Sequence, residues 1–219
     1  MPLVFTDLWS SVASYDDWDW NIETTRSLNS ARYISSPYSL RLAKPGAPDW
    51  DNTFLLCRKA ATLLIPDGRI QTWYYTDSTY YWWKWLIFRS QIPLGSADLA
   101  SGYYIGLSGQ QMQYTDGYGT TFRTVDLSLP VKTWHHIRVT WESGLIDSIH
   151  CLNIQVERES GSEWVACDDL VQRVPELYKD SSINRVGIGC NAHHLVPEHF
   201  DNTEVYKKGA AFARGLVIP

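Results

Sequence analysis

The sequence predicts an all-β fold, a two-sheet antiparallel β-sandwich, on the strength of three observations. Runs in which apolar and polar residues alternate recur along the 219 residues, as in half-buried strands. Turn-forming clusters such as Pro66-Asp67-Gly68 and Ser160-Gly161-Ser162 separate these runs. Trp and Tyr number 11 and 13 against two Met, a bias towards residues that suit pleated surfaces. Strands without helices bury their apolar faces by packing two sheets together.

The alternation predicts strands at Leu3–Leu8, Tyr38–Leu42, Thr53–Ile65, Arg69–Tyr75, Tyr80–Arg89, Gly102–Leu107, Gln110–Tyr114, Thr120–Val125, Trp134–Glu142, Ile149–Arg158, Glu163–Ala166, Ile183–Cys190 and Asn202–Tyr206. A single helical turn is expected around Asp169–Tyr178, where Pro175 interrupts it. No internal repeat and no linker-like stretch divides the chain. We therefore expect one domain over residues 1–206, followed by an apolar tail over residues 207–219 that packs on the domain or on a partner subunit.

Alternation also predicts which side of each strand faces the core. In the strand Trp134–Glu142, the inward positions are His135, Ile137, Val139 and Trp141. The following strand places Leu152, Ile154 and Val156 inward by the same pattern. Such strands have one buried face and one wet face, as antiparallel sandwiches require.

Charge and hydropathy exclude some classes of protein. The net charge is −5 and the pI is near 5.6, which argues against nucleic acid as the main partner because phosphate binding needs a concentrated basic field. No long apolar stretch suits a membrane span. The first residues, Met1 to Asp7, show neither the basic nor the apolar region of a signal peptide. An extracellular or virion-surface location is expected.

Four cysteines, Cys57, Cys151, Cys167 and Cys190, are widely spaced. They match neither a zinc motif nor a dense disulfide framework. Four reduced thiols are the favoured interpretation. A bridge between Cys151 and Cys167 in an oxidising compartment is the alternative.

Several motifs, in order, resemble the concanavalin A-like lectin/glucanase jelly rolls and related carbohydrate-binding modules. They are Pro37-Tyr38-Ser39-Leu40-Arg41-Leu42, Val131-Lys132-Thr133-Trp134-His135-His136-Ile137-Arg138-Val139, the hairpin from Leu152–Glu157 to Trp164-Val165-Ala166, Arg185-Val186-Gly187-Ile188-Gly189 and Phe200-Asp201-Asn202-Thr203-Glu204-Val205. The resemblance spans most of the chain and implies a jelly-roll sandwich. Because this superfamily contains lectins, glycosidases, lyases, adhesion modules and viral proteins, function has to be argued from a site.

Nine of the sixteen residues from Trp73 to Phe88 are aromatic, which makes this run the main candidate site. Interpreted as two paired strands, it turns some rings outward as a platform for the C–H face of a sugar, with polar neighbours for the hydroxyls. The predicted stacking residues are Trp73, Tyr75, Tyr80 and Trp82, and the predicted polar contacts are Gln71, Lys84 and Arg123. Contact with another protein and simple packing are the alternatives.

The resemblance also implies a structural Ca²⁺ between the first and last strands. The matching positions are Asp7 and Asp201, and a hard cation would need further oxygen ligands. Solvated turn carboxylates are the alternative.

Catalysis is less favoured, because the strand-borne pair of carboxylates that glycosidases of this fold use is absent from the sequence. A lyase would need a cluster for which Arg123, His136, Tyr114 and Gln113 are loose candidates. The loop histidines His193, His194 and His199 lack the helical spacing of zinc hydrolases, and we expect no zinc there.

The sequence therefore predicts a non-catalytic jelly-roll protein that binds a glycan or polysaccharide or mediates attachment, with a virion surface protein, such as a phage decoration or tail component, as the expected setting. Other protein subunits are expected as partners. A purely structural assembly protein is the first alternative, and a polysaccharide lyase or glycoside hydrolase of the same fold is the second.

Overall fold

A computed structural model describes residues 1–11, 18–20, 25–35, 37–43, 51–57, 65–76, 83–91, 102–116, 120–147, 149–168, 172–176, 185–192 and 198–208. Within these ranges the chain forms strands and no helix, and hence none long and apolar enough to cross a membrane. The strands are β1 Leu3–Asp7, β2 Trp18–Trp20, β3 Thr25–Asn29, β4 Ser39–Ala43, β5 Asp51–Cys57, β6 Gly68–Thr76, β7 Lys84–Ser90, β8 Tyr103–Leu107, β9 Gln111–Asp116, β10 Thr121–Asp126, β11 Thr133–Ile146, β12 Ile149–Ser160, β13 Glu163–Ala166, β14 Gln172–Pro175, β15 Arg185–Ala192 and β16 Glu198–Lys207.

The strands form two antiparallel sheets, which confirms the predicted sandwich. The nine-stranded sheet has the order β13-β12-β11-β6-β16-β4-β3, with β1 also pairing with β16 and β14 with β12. The seven-stranded sheet has the order β10-β9-β8-β7-β15-β5-β2. Each sheet therefore has an inner face that packs on the other sheet and an outer face that does not.

The core lies between the two inner faces. As alternation predicts, Ile137, Val139 and Trp141 of β11 are fully buried. Phe88 of β7 stacks on Trp141 across the sandwich, with ring centroids 4.8 Å apart. Burial of side chains of this size stabilises the fold by about 1.5–3 kcal/mol each. The alternating apolar set of β11 therefore contributes substantially to the stability of the sandwich.

Two expectations about local structure are wrong. The segment expected to turn as a helix contains strand β14, whose residues Gln172–Pro175 pair with β12. Pro175 lacks an N–H, and it lies on an edge strand, where a missing donor is tolerated. Strands β2 and β3 carry no alternation long enough to be predicted.

The aromatic run does not form a hairpin, contrary to the prediction. Strand β6 pairs with β11 and β16 in the nine-stranded sheet, whereas β7 pairs with β8 and β15 in the seven-stranded sheet. The run therefore crosses from one sheet to the other. Its two halves face opposite sides of the sandwich and cannot share one platform.

Buried charged groups tie the two sheets together. The Arg89 guanidinium of β7, fully buried, donates to the Pro66 carbonyl, to Asp67 Oδ1 at 2.9 Å, to Ser143 Oγ at 2.8 Å and to Glu176 Oε1 at 3.2 Å. Three segments far apart in sequence, at Pro66–Asp67, Ser143 and Glu176, thus share one cation. Breaking a buried pair of this kind from one side leaves an uncompensated charge, so Arg89 fixes where these segments meet.

The described cysteines are reduced. Cys151, Cys167 and Cys190 are free thiols, so the alternative of a Cys151–Cys167 bridge is not realised. Burial raises the pKa of the Cys167 thiol to about 11, which keeps it protonated and unreactive near neutral pH. The side chain of Cys57 lies outside the described residues, as does the tail over residues 209–219.

Candidate functional site

The outer face of the nine-stranded sheet carries the first half of the aromatic run. Trp73 and Tyr75 face outward there, in register with His136 and Trp134 of β11. The Trp73 ring stacks on His136 with centroids 4.5 Å apart and an angle of 13°. The other neighbour of His136 is Trp164, at 4.7 Å. The rings stand side by side across the sheet, so much of their flat area is covered by neighbouring rings.

The polar groups of this face are also paired with one another. Gln71, predicted as a sugar contact, donates through Nε2 to Glu204 Oε2 at 2.7 Å. Arg138 forms a bidentate pair with Glu157 at 2.6 and 2.8 Å. His136 Nδ1 lies 2.9 Å from Glu159 Oε2. A ligand would have to displace these contacts before it could form its own.

Tyr75 lies beneath a chain segment. The Arg32 guanidinium sits 4.6 Å from the centre of the Tyr75 ring. The same segment is fixed by Asp201, whose Oδ2 accepts the Ile34 N–H at 2.7 Å, and by a hydrogen bond between Ser35 and Asn202. Tyr75 is thus an internal contact rather than an open stacking surface.

The carboxylates predicted to hold Ca²⁺ are both buried and both accept N–H groups. Asp7 accepts the Trp9 backbone N–H and the Trp18 indole N–H, each at 2.7 Å. Asp201 accepts the N–H groups of Ile34 and Asn202 at 2.7 and 2.8 Å. Burial raises the pKa of Asp201 despite these donors.

These two carboxylates do not fit as ligands of a hard cation. Ca²⁺ takes six to eight oxygen ligands, whereas every oxygen of this pair faces an N–H donor. No cluster of three His, Cys, Asp or Glu able to hold a metal occurs in the part of the chain that the structure describes. Asp7 and Asp201 act here as structural acceptors that hold the N-terminal strand and the covering segment on β16.

Lys84 does not face solvent, which corrects its predicted role as a polar contact. Its side chain is buried between the sheets, with the ammonium 3.1 Å from Glu198 of β16. Lysine ordinarily marks the wet face of a strand, so the sequence predicts Tyr80, Trp82 and Lys84 outward. Because Glu198 neutralises Lys84 inside the sandwich, the true alternation is the opposite: Leu86 and Phe88 face the core, and Trp83 and Trp85 face outward.

Arg123 also points away from any platform. Its guanidinium forms a bidentate pair with Asp168 at 2.7 and 2.9 Å, which joins β10 to the segment after β13 on the opposite sheet. Gln172 donates to the same carboxylate at 2.9 Å. Burial next to Asp168 raises the pKa of Tyr114 well above its ordinary value.

The four residues considered for lyase chemistry therefore do not converge. Arg123 and Tyr114 meet at Asp168. Gln113 alternates with the core residues Met112 and Tyr114 and so faces the outer side of the seven-stranded sheet. His136 belongs to the outer face of the nine-stranded sheet.

The outer face of the seven-stranded sheet carries a different set of aromatic side chains. Trp83 and Trp85, both half-buried, stack with ring centroids 6.0 Å apart and an angle of 28°. Tyr104 of β8 meets Trp85 edge to face at 6.2 Å. Two partly exposed indoles with a phenol beside them form a rigid apolar surface.

Glycine makes room for these rings. Gly106 of β8 and Gly189 of β15 are the direct cross-strand neighbours of Trp85. A Cβ at position 106 would lie 2.7 Å from Cζ3 of Trp85 and 2.9 Å from Cε3 of Trp83. Only a residue without a side chain fits there, so the indoles lean over bare backbone.

Polar side chains occupy the next cross-strand positions after Trp85 and Gly106. Gln113 of β9 is the next cross-strand neighbour of Gly106, and Thr124 of β10 follows Gln113. The Trp85 indole Nε1 is buried and has no hydrogen-bond acceptor in the described ranges, whereas the half-buried Gln113 amide is not held by any neighbour found there. We name Trp83, Trp85, Gly106, Gln113 and Thr124 the glycine row.

A surface groove opens beside the glycine row. Its volume is about 690 Å³, and Gln110, Gln111, Asp126 and Ser128 are among its lining residues. Gln111 lies two residues before Gln113 on the same outer face of β9. The groove adds hydrogen-bonding groups next to Gln113 and Thr124. The candidate surface is therefore longer than one sugar ring.

Sequence reasoning reached part of this site. It singled out the run that contains Trp83 and Trp85 but assigned their side of the strand wrongly. Gly106 and Gly189 were the available signal, because glycines that alternate with apolar residues in a strand indicate a close approach of another group. The predicted residues Tyr80 and Trp82 lie outside the described residues.

Comparisons with known proteins support the fold. No protein-family model and no curated protein matches the sequence. Among solved structures, the cellulose induced protein Cip1 aligns with a TM-score of 0.58 and 14% identity, over 93% of this chain and 97% of that one. The carbohydrate recognition domain of Emp46p aligns with a TM-score of 0.56 and 11% identity, over 93% and 95% of the two chains. The exoplasmic/lumenal domain of VIP36 in its Ca²⁺/Man3GlcNAc-bound form aligns with a TM-score of 0.52 and 15% identity, over 89% and 85%. These alignments show the fold, a two-sheet sandwich of the concanavalin A-like type.

Proposed function

We propose that this concanavalin A-like sandwich is a non-catalytic carbohydrate-binding protein whose sugar stacks on the glycine row. Two structural neighbours support sugar as the ligand class: Emp46p through its carbohydrate recognition domain and VIP36 through its Man3GlcNAc complex. The sequence motifs point to the same class. The location is argued from the chemistry of the two outer faces.

One observation carries the choice of face. On the nine-stranded sheet, the outward polar groups Gln71, Arg138 and His136 are already paired with acidic neighbours. On the glycine row, the Gln113 amide has no such partner in the described residues, and it lies in the same cross-strand row as the half-buried Trp85 ring. An amide that is not held by a neighbouring side chain can donate to and accept from a ligand.

The chemistry of the row suits a sugar. The apolar C–H face of a pyranose packs on an indole, and its hydroxyls need donors and acceptors at the ring edge. The Gln113 amide and the Thr124 hydroxyl each supply both. The adjoining groove adds Gln110 and Ser128 to these groups, while Gln111 donates to Asp126 at 3.3 Å, so we propose an oligosaccharide rather than a single sugar.

The same groups support the proposal of binding without cleavage. Indole, amide and hydroxyl groups do not ionise near neutral pH and so do not serve as general acids or bases. Glycoside hydrolysis instead uses a pair of carboxyl groups that flank the glycosidic bond. Asp126 is the carboxylate among the described residues of the row and the groove named here. We therefore propose that the glycine row holds its ligand and leaves it intact.

The test compares matched tryptophans on opposite faces. A glycan array identifies a ligand for the wild type, and calorimetry then measures its Kd for Trp85→Ala, Gln113→Ala and Trp73→Ala. We expect at least tenfold weaker binding for Trp85→Ala, which corresponds to about 1.4 kcal/mol, and no change beyond threefold for Trp73→Ala.

Two results would count against this proposal. No binding to any glycan by the wild type would remove the function. Loss of binding in Trp73→Ala with Trp85→Ala unaffected would place the site on the nine-stranded sheet. Circular dichroism and Tm of each variant separate lost binding from lost folding.

A role in assembly is the second candidate, and one observation favours it. The hairpin of β11 and β12 ends in Leu145 and Ile149, which are 66% and 71% exposed. Exposed apolar side chains in one place favour contact with another protein. The virion-surface setting that we propose from the sequence requires an anchoring contact of this kind. Light scattering of the wild type and of Leu145→Ser/Ile149→Ser tests it, and an unchanged monomer in both would count against it.

A further inference from the structure

A second cavity lies on the outer face of the nine-stranded sheet, away from the paired aromatics. It has a volume of about 260 Å³ and is lined by Thr140, Glu142, Asn153, Gln155 and Arg173. This volume is near the lower end of the range of roughly 300–1,000 Å³ that ligand pockets occupy. We call it the β12 pocket.

Strand register brings these residues together. Thr140 of β11 faces Gln155 of β12, and Glu142 faces Asn153 one row further on. Asn153 in turn faces Arg173 of β14. Glu142 and Arg173 are thus two strand spacings apart, or roughly 10 Å, with an amide between them. Glu142 is paired with Lys208 instead of with Arg173.

The donors of the β12 pocket are mostly unpaired. Within the described chain, the Arg173 guanidinium and the Gln155 amide have no hydrogen-bond partner. The Asn153 amide oxygen receives only a long contact of 3.8 Å from the Cys151 thiol. This distinguishes the pocket from the rest of the same face, where Arg138 and His136 are held by glutamates.

The charge around the pocket is positive. Arg173 lines it, Arg69 donates to Thr140 at its edge, and Lys208 pairs with Glu142. Glu142 is the single carboxylate of the lining. The next acidic residue, Glu157, is bound to Arg138. An anionic group in the pocket would therefore meet more positive than negative charge.

We propose that the β12 pocket binds the carboxylate of an acidic sugar, a uronic acid residue. The planar guanidinium of Arg173 offers a bidentate match to a carboxylate. The Asn153 and Gln155 amides and the Thr140 hydroxyl then bind the ring hydroxyls, since amides and hydroxyls both donate and accept. This site is separate from the glycine row and stands whether or not a sugar binds there.

The experiment is an NMR titration of the whole protein labelled with ¹⁵N. The side-chain amide signals of Asn153 and Gln155 and the Nε signal of Arg173 report on the pocket directly. D-glucuronate and D-galacturonate are the probes, D-glucose is the neutral control and acetate is the control for the anion alone. We expect saturable shifts of all three signals with a uronate and at least tenfold weaker effects with D-glucose and with acetate.

A variant separates recognition from a general charge effect. Arg173→Gln removes the guanidinium at an exposed position and should weaken uronate binding at least tenfold. Lys132→Gln removes an exposed cation just before the start of β11, away from the pocket residues Thr140 and Glu142 of that strand. It should leave binding unchanged. Equal shifts with acetate, unchanged affinity in Arg173→Gln, or no shift of these signals with either uronate would each overturn the proposal. Trp85→Ala should leave the uronate titration as it is.

Discussion

The Lys84 ammonium of the seven-stranded sheet lies 3.1 Å from the Glu198 carboxylate of the nine-stranded sheet, with both side chains at most 2% exposed. Each charge was taken out of water at a cost of several kcal/mol, and their attraction offsets that cost only while both are present. The pair therefore acts less as a source of stability than as a constraint on how the two sheets are placed.

Removing one partner should be far worse than removing both. We expect Lys84→Met to lower the free energy of unfolding by about 3–5 kcal/mol, because Glu198 is left buried without a counter-charge. The double variant Lys84→Met/Glu198→Leu should recover most of this loss. Urea unfolding of the wild type, both single variants and the double variant measures it. Additive losses would contradict the interpretation.

Gly106→Ala should disturb the indoles of the glycine row. Its Cβ would lie within 3 Å of both Trp83 and Trp85, so the rings must move. We expect a loss of about 1–3 kcal/mol in the free energy of unfolding, as for an overpacked site, together with a shift in tryptophan fluorescence. Gly161→Ala is the control. Its Cβ meets nothing within 4 Å, so the fluorescence should not change, although its positive φ strains the backbone.

Stability should fall when the solution is acidified below the ordinary histidine pKa. Burial is the main cause that lowers the pKa of His135 and of His136 from 6.5 in the folded protein. The unfolded chain therefore binds more protons in this range, so the free energy of unfolding falls as pH drops below about 6.5. Urea unfolding from pH 8 to 5 measures the slope. His136→Gln should make it shallower, and an unchanged slope would show that His136 does not contribute.

Calcium should not stabilise the fold through Asp7 and Asp201. Their oxygens already accept N–H groups at 2.7–2.8 Å. We expect the same Tm in excess CaCl₂ and in EGTA. A rise in Tm with Ca²⁺ that disappears in Asp201→Asn would restore the calcium site predicted from the sequence. Trp18→Phe, which removes the indole donor to Asp7, should lower stability by about 1.5–3 kcal/mol under either condition.

Strands with uncomplicated alternation were predictable. In β11 the inward positions from Ile137 to Trp141 are apolar and the outward ones polar, so the pattern has one solution. In β7 both faces carry large apolar side chains, Trp85 and Ile87 on one and Leu86 and Phe88 on the other, so Lys84 decides the assignment. A lysine ordinarily marks solvent. Only the distant Glu198 reverses that inference, and nothing near Lys84 in the sequence announces it.

The candidate site was only partly predictable for a similar reason. The choice between the two outer faces rests on which polar groups are already paired. Trp73 is covered by His136, which lies 63 residues further along the chain, and Gln71 is held by Glu204. Such pairings depend on strand order in the folded sheet. Composition identified the aromatic run, while register decided which of its rings remain available.

The two outer faces of this sandwich point in opposite directions, separated by a core layer of about 10 Å and by the sheets themselves. A short oligosaccharide on the glycine row cannot reach the β12 pocket around the sheet edge. If both sites are occupied, their ligands belong to different chains or to distant parts of one polymer. The molecule would then be bivalent, and a polysaccharide that carries both kinds of sugar would be cross-linked and not merely coated.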